Sequence, residues 1–512
     1  MATVVVGAGV QIDAPPGVRV ARVAASAELG FGAAGDEGVL PNALSDAGFK
    51  GAATFSLVGQ AERGPLAADG EVGAPTVVRV PVGPTESAVI LVEGDDGVFA
   101  WAMPQRRLSS SSLGIAEVEG AELVFVLGEA PVGPAISWDV LRANPLLNWL
   151  TKRAKGGLKA RVLKFTVAKI EDWVIEKVEG DLAPGLLSVE GQDPTKWRVG
   201  GQAPRLGAVS GLAAKRVLLL VHGTFSTTEG SFGQLTASQA GRDFLQDLYG
   251  RYDAVLGFDH RTLAESPEAN AQAMSAALHG VLPKGAEVDA IGYSRGGLVL
   301  REWLETLVPA ERPDLKLGKA VFVGCTNRGT NLAEPEHWRT LIDLYTNAAI
   351  AAGRAVSLLA GRPELTPAIS YTLKTIGQFV QYFSTVAITM NHVPGLAAMR
   401  PSSPLVTRLN AAKETGPSPL YHAVTSNFVA QFDAEMGVTK ELAQMVKDRV
   451  TNQLFGGAND LVVDTSSMTF LGSRQARLDT TRTFAFGDGE DVYHTIYFGA
   501  EPTARKLGEW LL

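Results

Sequence analysis

From Val217 onward, short unbroken apolar runs alternate with longer stretches whose apolar positions recur at helical spacing. The runs are Val217–Val221, Ala254–Phe258, Val288–Ile291, Ala320–Val323, Tyr421–Thr425 and Thr483–Phe486. A strand that is apolar at every position is covered on both faces, so the pattern predicts a mostly parallel sheet with crossover helices. Between the fourth and fifth runs lies a long insertion with two apolar helical stretches, Trp338–Leu359 and Pro367–Met390. Upstream the texture differs. Val77–Val82, Ala88–Val92, Val98–Met103 and Glu122–Leu127 are short β-type runs separated by Gly, Pro, Asp and Ser clusters, which predicts a small β-rich domain. Ser109–Ser112 reads as a loop.

Residues 145–180 read as helical, because Leu158, Val162, Leu163, Phe165, Ile170, Trp173, Val174 and Val178 recur at three- and four-residue steps. The Gly- and Pro-rich stretch from Leu186 to Gly211 reads as a linker. Residues 1–72 show few clear periods. Val4-Val5-Val6-Gly7-Ala8-Gly9 invites a dinucleotide-binding reading, but the third glycine position is Ile12 and Pro15-Pro16 follow where a helix should run. An edge strand and a turn are expected there instead. The division is therefore a partly irregular segment 1–72, a β-rich accessory domain 73–190 with a helical tail, a linker 191–212, and an α/β domain 213–512 with an insertion at about 331–400.

Composition narrows the function classes. Of 512 residues, 46% are hydrophobic and 20% charged, enough apolar material for a sizeable core. The net charge is −8 with no long basic run, which argues against nucleic acid, since phosphate binding needs clustered Lys and Arg. A single cysteine, Cys325, leaves no internal disulfide framework and suits a reducing compartment. The N-terminus has neither a basic n-region nor a sustained apolar h-region. No apolar run reaches the ~20 residues needed to span a bilayer; Ile369–Met390 is interrupted by Lys374, Gln378 and Gln381. A cytoplasmic location is the expectation, with peripheral membrane contact left open.

The chemistry begins at Gly292-Tyr293-Ser294-Arg295-Gly296-Gly297, between the run ending at Ile291 and a helical stretch, Leu298–Leu307. G-x-S-x-G in this setting is a nucleophile elbow, a turn so tight that the serine adopts strained backbone angles at a helix N-terminus. The bare pattern arises by chance about 0.4 times in such a chain, so its context and companions must carry the assignment. The first companion is His222-Gly223-Thr224-Phe225 after Val217–Val221. Such a loop supplies one oxyanion-hole amide and the residue after the nucleophile supplies the other. Thr224 and Arg295 are the candidates, with Phe225 as the alternative to Thr224. His222 is expected to shape the loop.

The acid and then the histidine should follow the serine. Asp460 lies in Gly456-Gly457-Ala458-Asn459-Asp460-Leu461-Val462-Val463, a loop whose amides can hold a carboxylate. Asp464 is the runner-up; Asp488 and Asp491 lie close to the histidine and are less favoured. Of seven histidines only His494 follows Asp460, which makes it the candidate base. Cys325 ends an apolar run and reads as a buried, inert thiol. No HExxH or CxxC spacing suggests a metal, and no cofactor is implied.

Together these pieces resemble bacterial lipases and the broader lipase-like α/β-hydrolases that include GPI inositol deacylases. The resemblance runs from Val217 to the C-terminus and also takes in Asn327-Arg328-Gly329-Thr330-Asn331-Leu332-Ala333 and Pro401–Asn410. It implies an α/β-hydrolase fold, a mostly parallel sheet with a helical cap insertion. It also implies triad roles for Ser294, Asp460 and His494, the match to an N-D-G-V-V acid loop favouring Asp460. Asn327 stands where the family usually has histidine, and Leu461 where it usually has glycine. The first 210 residues lie outside the resemblance.

The expected activity is cleavage of a carboxylic ester, small-molecule or lipid, with an apolar acyl part if the insertion caps the site. The alternative for the insertion is plain packing on the core or on the N-terminal domain. A thioester, amide or peptide substrate fits the same triad. An interaction protein acting through its N-terminal domain, whose partner the sequence does not name, is a reading from another class.

Overall fold

The computed structural model describes residues 2–23, 39–59, 75–94, 97–105, 122–127, 157–167, 175–197, 215–358, 366–385, 393–411, 419–429, 455, 457–489 and 492–512. Ser109–Ser112, Ile170, Trp173, Val174, Asp491 and residues 198–212 of the expected linker lie outside these. Within them the chain forms three sheets, in a mixed α/β architecture.

Two sheets are N-terminal and antiparallel. β1 (Ala2–Val5), β2 (Gln11–Ala14), β5 (Thr76–Pro81) and β8 (Glu122–Leu127) form one in the order β1-β2-β5-β8. The other has the order β3-β4-β9-β6-β7, from β3 (Arg19–Arg22), β4 (Lys50–Val58), β6 (Glu86–Glu93), β7 (Phe99–Ala102) and β9 (Leu158–Thr166). β1 and the turn at Gly7–Gly9 stand where an edge strand and turn were expected. β9 corrects the helical reading of 145–180 over its own span. It sits between β4 and β6 and pairs with both. Leu158, Ala160, Arg161, Val162, Leu163 and Phe165 are all buried, so the two-residue alternation is blurred and the apolar spacing mimics a helix.

The third sheet has seven strands in the order β10-β12-β11-β13-β14-β15-β16. They are β10 (Gly185–Ser188), β11 (Arg216–Val221), β12 (Ala254–Asp259), β13 (Glu287–Tyr293), β14 (Lys316–Val323), β15 (Leu420–Phe428) and β16 (Thr483–Gly489). All neighbours are parallel except β10 and β12. β10 falls ahead of the boundary at 213. Its four residues are flanked by Pro and Gly and read locally as connection; pairing with β12 makes them a strand.

The unbroken apolar runs follow from coverage on both faces. Along β11, Val217, Leu219 and Val221 join a core with α4 (Pro267–His279) and α5 (Gly296–Glu302). Leu218 and Leu220 point the other way, into a core with α3 (Gln239–Arg251) and α9 (Glu501–Leu511). Helix starts carry the expected caps: Thr227 before α2 (Thr228–Phe232), Ser238 before α3, and Ser266 followed by Pro267 before α4.

Between β14 and β15 the chain forms α6 (Trp338–Leu358), α7 (Thr366–Thr385) and α8 (Pro404–Ala411). α6 and α7 share one buried apolar cluster with the N-terminal sheets and with α1 (Val39–Asp46). The contact to β7 is polar and specific. β7 is an edge strand, and its outward amides meet side chains of α6. Phe99 donates its amide to Asn347 Oδ1 at 2.8 Å and accepts from Asn347 Nδ2 at 2.7 Å. The Trp101 amide donates to Asp343 Oδ1 at 2.8 Å, and the indole Nε1–H to Thr346 Oγ1 at 3.0 Å. A buried edge needs such partners because its main-chain groups have no neighbouring strand. Replacing Asn347 with the near-isosteric leucine takes away the acceptor and the donor that Asn347 offers the buried N–H and C=O of Phe99. At about 1–3 kcal/mol for each such group, Asn347→Leu is expected to lower stability by about 2–5 kcal/mol in denaturant titration. A loss within about 0.5 kcal/mol, the usual surface value, would count against this contact.

Candidate active site

β11 lies inside the large sheet, with β12 on one side and β13, the central strand, on the other. This is the topological switch point, where loops after neighbouring strands diverge and leave a crevice at the strands' carboxyl ends. Val221 pairs with Gly292 in parallel register, so the loops beginning at His222 and Tyr293 leave the sheet side by side.

Ser294 follows β13 with φ +52°, the left-handed region that non-glycine residues rarely adopt. Two close approaches hold it there. A Cβ on Gly296 would sit 2.3 Å from the Val221 carbonyl oxygen, and one on Gly223 would sit 2.7 Å from the Ser294 Cβ. Elbow and loop therefore interlock only with glycine at both positions. Ser294 is buried, at 1% exposure.

The structure brings Ser294, His494 and Asp460 together. His494 Nε2 is 2.8 Å from Ser294 Oγ, and His494 Nδ1 is 2.7 Å from Asp460 Oδ2. The carboxylate is held from several sides. Its Oδ1 accepts the amides of Val462 and Val463 at 3.1 and 2.8 Å, and its Oδ2 accepts the Tyr497 hydroxyl at 3.0 Å. The His494 amide donates to the Asp460 carbonyl at 3.0 Å, and the Tyr293 hydroxyl to the His494 carbonyl at 2.5 Å. Acid loop, histidine loop and elbow thus fix one another. Leu461, where the resemblance leads one to expect glycine, has φ +81°. Its side chain is buried and its amide donates to Asn459 Oδ1, so packing and a hydrogen bond hold a backbone that suits glycine.

The other carboxylates lie elsewhere in the network. Asp464 precedes the helical turn Thr465–Met468 and bridges to Asn459 through the main chain. Asp488 accepts from Asn427 Nδ2 at 2.7 Å in an exposed position.

Around the serine, the amides of Thr224 and Arg295 have no hydrogen-bond partner among the described residues. The Phe225 amide, by contrast, donates to Thr262 Oγ1 at 3.2 Å, with φ +57° at Phe225. His222 is bound through both ring nitrogens. Nδ1 contacts the Gly223 carbonyl at 2.9 Å, Nε2 accepts the His260 amide at 3.1 Å, and the ring stacks on His260 at 4.1 Å. The Arg295 guanidinium points away from the serine to the Glu265 carbonyl and Asn270 Oδ1, at 2.5 and 2.8 Å. Burial pushes its pKa down to about 10. The Cys325 thiol is buried behind the elbow, 3.1 Å from the Gly292 carbonyl, and burial pushes its pKa well above the usual thiol range.

A family model described as a domain of unknown function, DUF7379, matches residues 184–512, well over half of the chain. The chain belongs to the DUF7379 family. The matched span begins with β10 and takes in the whole seven-stranded sheet. No curated protein matches. Among solved structures, the chain is similar to lipase 1 from Pelosinus fermentans, at 11% identity over 58% of this chain and 100% of that one, with TM-score 0.34. It is also similar to esterase RhEst1 from Rhodococcus sp. ECU1013, at 15% identity over 58% and 91%, with TM-score 0.29. For phospholipase PlaB from Legionella pneumophila the identity is 16% over 50% of this chain, with TM-score 0.29, and the match spans about half of that enzyme's length, 46%. Among the described residues of this DUF7379 chain, no helix is long and apolar enough to cross a membrane and no cluster of three or more His, Cys, Asp or Glu could hold a metal.

Two residues at the site carry no motif and escape sequence reading. Tyr345, from α6, lies against the ring of Phe225 at 5.1 Å and that of His494 at 6.1 Å. Glu179, ahead of β10, is buried. Its Oε1 accepts the Thr262 amide and hydroxyl, both at 2.6 Å, and its Oε2 accepts the amides of Leu263 and Ala264 at 2.9 and 3.1 Å. Thr262 in turn holds the Phe225 amide. In Glu179→Gln one acceptor oxygen becomes an NH2 facing buried donors, at about 1–3 kcal/mol for each unmet group. The variant is expected to melt at lower temperature and to show faster amide exchange at 224–226 and 262–264. Unchanged exchange in those segments would show that Glu179 does not hold the loop.

Proposed function

We infer that this protein is a serine hydrolase that cleaves a carboxylic ester, lipase- or esterase-like, on an α/β-hydrolase fold. The observation carrying this reading is the continuous hydrogen-bonded line from Ser294 Oγ through His494 to Asp460. With Nδ1–H donated to Asp460, the neutral imidazole presents Nε2 as an acceptor to the serine hydroxyl. Ser294 Oγ attacks the acyl carbonyl carbon while its proton passes to His494 Nε2, and the carbonyl π pair moves onto oxygen. The amides of Thr224 and Arg295 receive that oxyanion. Thr224 is preferred to Phe225 because the Phe225 amide is spent on Thr262. The tetrahedral species collapses as His494 returns the proton to the leaving oxygen, giving an acyl-enzyme and an alcohol. Water, deprotonated by His494, then repeats the sequence and releases the acid.

The reading of α6 and α7 as a cap rests on Phe225, Tyr345 and Phe379, which form one aromatic group beside the serine, with Phe225 at 5.1 and 5.8 Å from the other two rings. An apolar acyl chain suits those walls. The same helices also pack on the N-terminal sheets, so we read the N-terminal strands as the backing of the cap. A fluorophosphonate probe is expected to label the wild type and not Ser294→Ala, with at least about a 10⁴-fold loss of ester hydrolysis in the variant; equal labelling of both would end the serine-hydrolase reading. With nitrophenyl esters of increasing chain length, kcat/KM is expected to rise from acetate toward medium chains. A profile flat across acyl lengths would remove the cap's role.

A further inference from the structure

α6 is clamped on one side and faces the nucleophile on the other. Its anchors to β7 are Asp343 and Asn347, two residues before and two after Tyr345. At ~100° per residue, positions two apart lie roughly 200° around a helix from one another, so Tyr345 projects away from β7. There it is 4% exposed, edge-on to His494 with ring planes at 81°, and against Phe225 with planes at 68°. Its neighbours are therefore the base and the residue that follows Thr224 in the oxyanion loop.

We propose that the Tyr345 hydroxyl is a third donor to the oxyanion, beside the main-chain amides of Thr224 and Arg295; this rests on the serine-hydrolase reading above. Ser294 and Thr224 bracket the place where a bound acyl oxygen must sit. Burial pushes the Tyr345 phenol above its usual range, and the Ser294 and Thr224 side chains draw it only partly back. The balance lies above the ordinary phenol value, so the group keeps its proton and acts as a donor at neutral pH. No proton leaves it at any step. As Ser294 Oγ bonds to the carbonyl carbon, the neighbouring oxygen gains negative charge, and a neutral O–H within reach of it forms a stronger hydrogen bond in the transition state than in the ground state. The N-terminal domain thereby acts on the chemistry from a distance, by fixing the helix that carries this hydroxyl.

The test compares wild type, Tyr345→Phe and Ser294→Ala on p-nitrophenyl butyrate, with a trifluoromethyl ketone that adds Ser294 Oγ to form a tetrahedral adduct. Tyr345→Phe keeps the ring and its packing. It is expected to lower kcat about 10²- to 10³-fold, the usual effect of one lost oxyanion donor, with KM changed less than about threefold. Ketone affinity should fall by a factor comparable to the kcat loss. That affinity reports only on folded molecules, so partial misfolding leaves it readable. A kcat within about twofold of wild type, a raised KM at unchanged kcat, or unaltered ketone affinity would each overturn the proposal. Full activity in Ser294→Ala would instead overturn the hydrolase reading itself. An inactive Ser294→Ala beside a fully active Tyr345→Phe would remove only the role of Tyr345.

Discussion

The parallel pairing of β11 with β13, kept in register to the end of β11 where Val221 faces Gly292, is the constraint on which the site depends. It delivers the His222 loop and the Ser294 elbow to one sheet edge. Their closest approach is then set by two glycines, since a methyl group at Gly223 or Gly296 would collide with main chain or with the serine itself. Asp460 and His494 come from the loops that follow β15 and β16, farther along the same edge. They reach the serine because each loop is tied to the other through main-chain as well as side-chain hydrogen bonds. A sheet in which β13 slipped by one residue would turn Ser294 to the opposite face, and none of the later contacts could form.

What was readable in the sequence follows the range over which each signal acts. The buried strands of the large sheet were legible because both their faces are covered, and alternate residues of β11 serve different cores. Ser294, Asp460 and His494 were legible as candidates through local motifs and chain order. β9 was not, because a central strand that buries residues of both parities loses its period, and Leu158, Val162 and Phe165 happen to fall at helical steps. β10 was not, because four residues acquire strand character only from β12. Choosing between Thr224 and Phe225 required knowing where the Phe225 amide goes, and its acceptor, Thr262, lies 37 residues away.

Glu179, Asp343, Tyr345 and Asn347 share a different kind of silence. Each is an ordinary residue for its local element, and the sequence around it is unremarkable. Asp343 and Asn347 read as polar positions on an otherwise apolar helix, whereas in the fold they complete the edge of a sheet that begins more than two hundred residues earlier. Such contacts leave no periodicity, because a single side chain replaces what would otherwise be another strand. They also explain how the insertion serves two ends at once. Packing on the N-terminal sheets and meeting Phe225 and His494 are done by opposite faces of one helix, whereas the sequence alone had presented core packing and a cap as alternatives.

Of the four non-glycine residues in the left-handed region among the described residues, three, Phe225, Ser294 and Leu461, line this site. Each such conformation costs of order 1–3 kcal/mol and persists only where surrounding structure over-determines it. Here the restraint can be named in every case. Phe225 is held by Thr262 and behind it Glu179, Ser294 by the interlocked glycines, and Leu461 by Asn459 and its own burial. Phe225, Ser294 and Leu461 are thus strained together and restrained separately. Relaxing any one restraint would stabilise its own loop locally while misplacing the group it carries. That is the arrangement expected where stability has been given up for position, and it argues that the geometry is kept for chemistry: a loop that only had to fold would have relaxed.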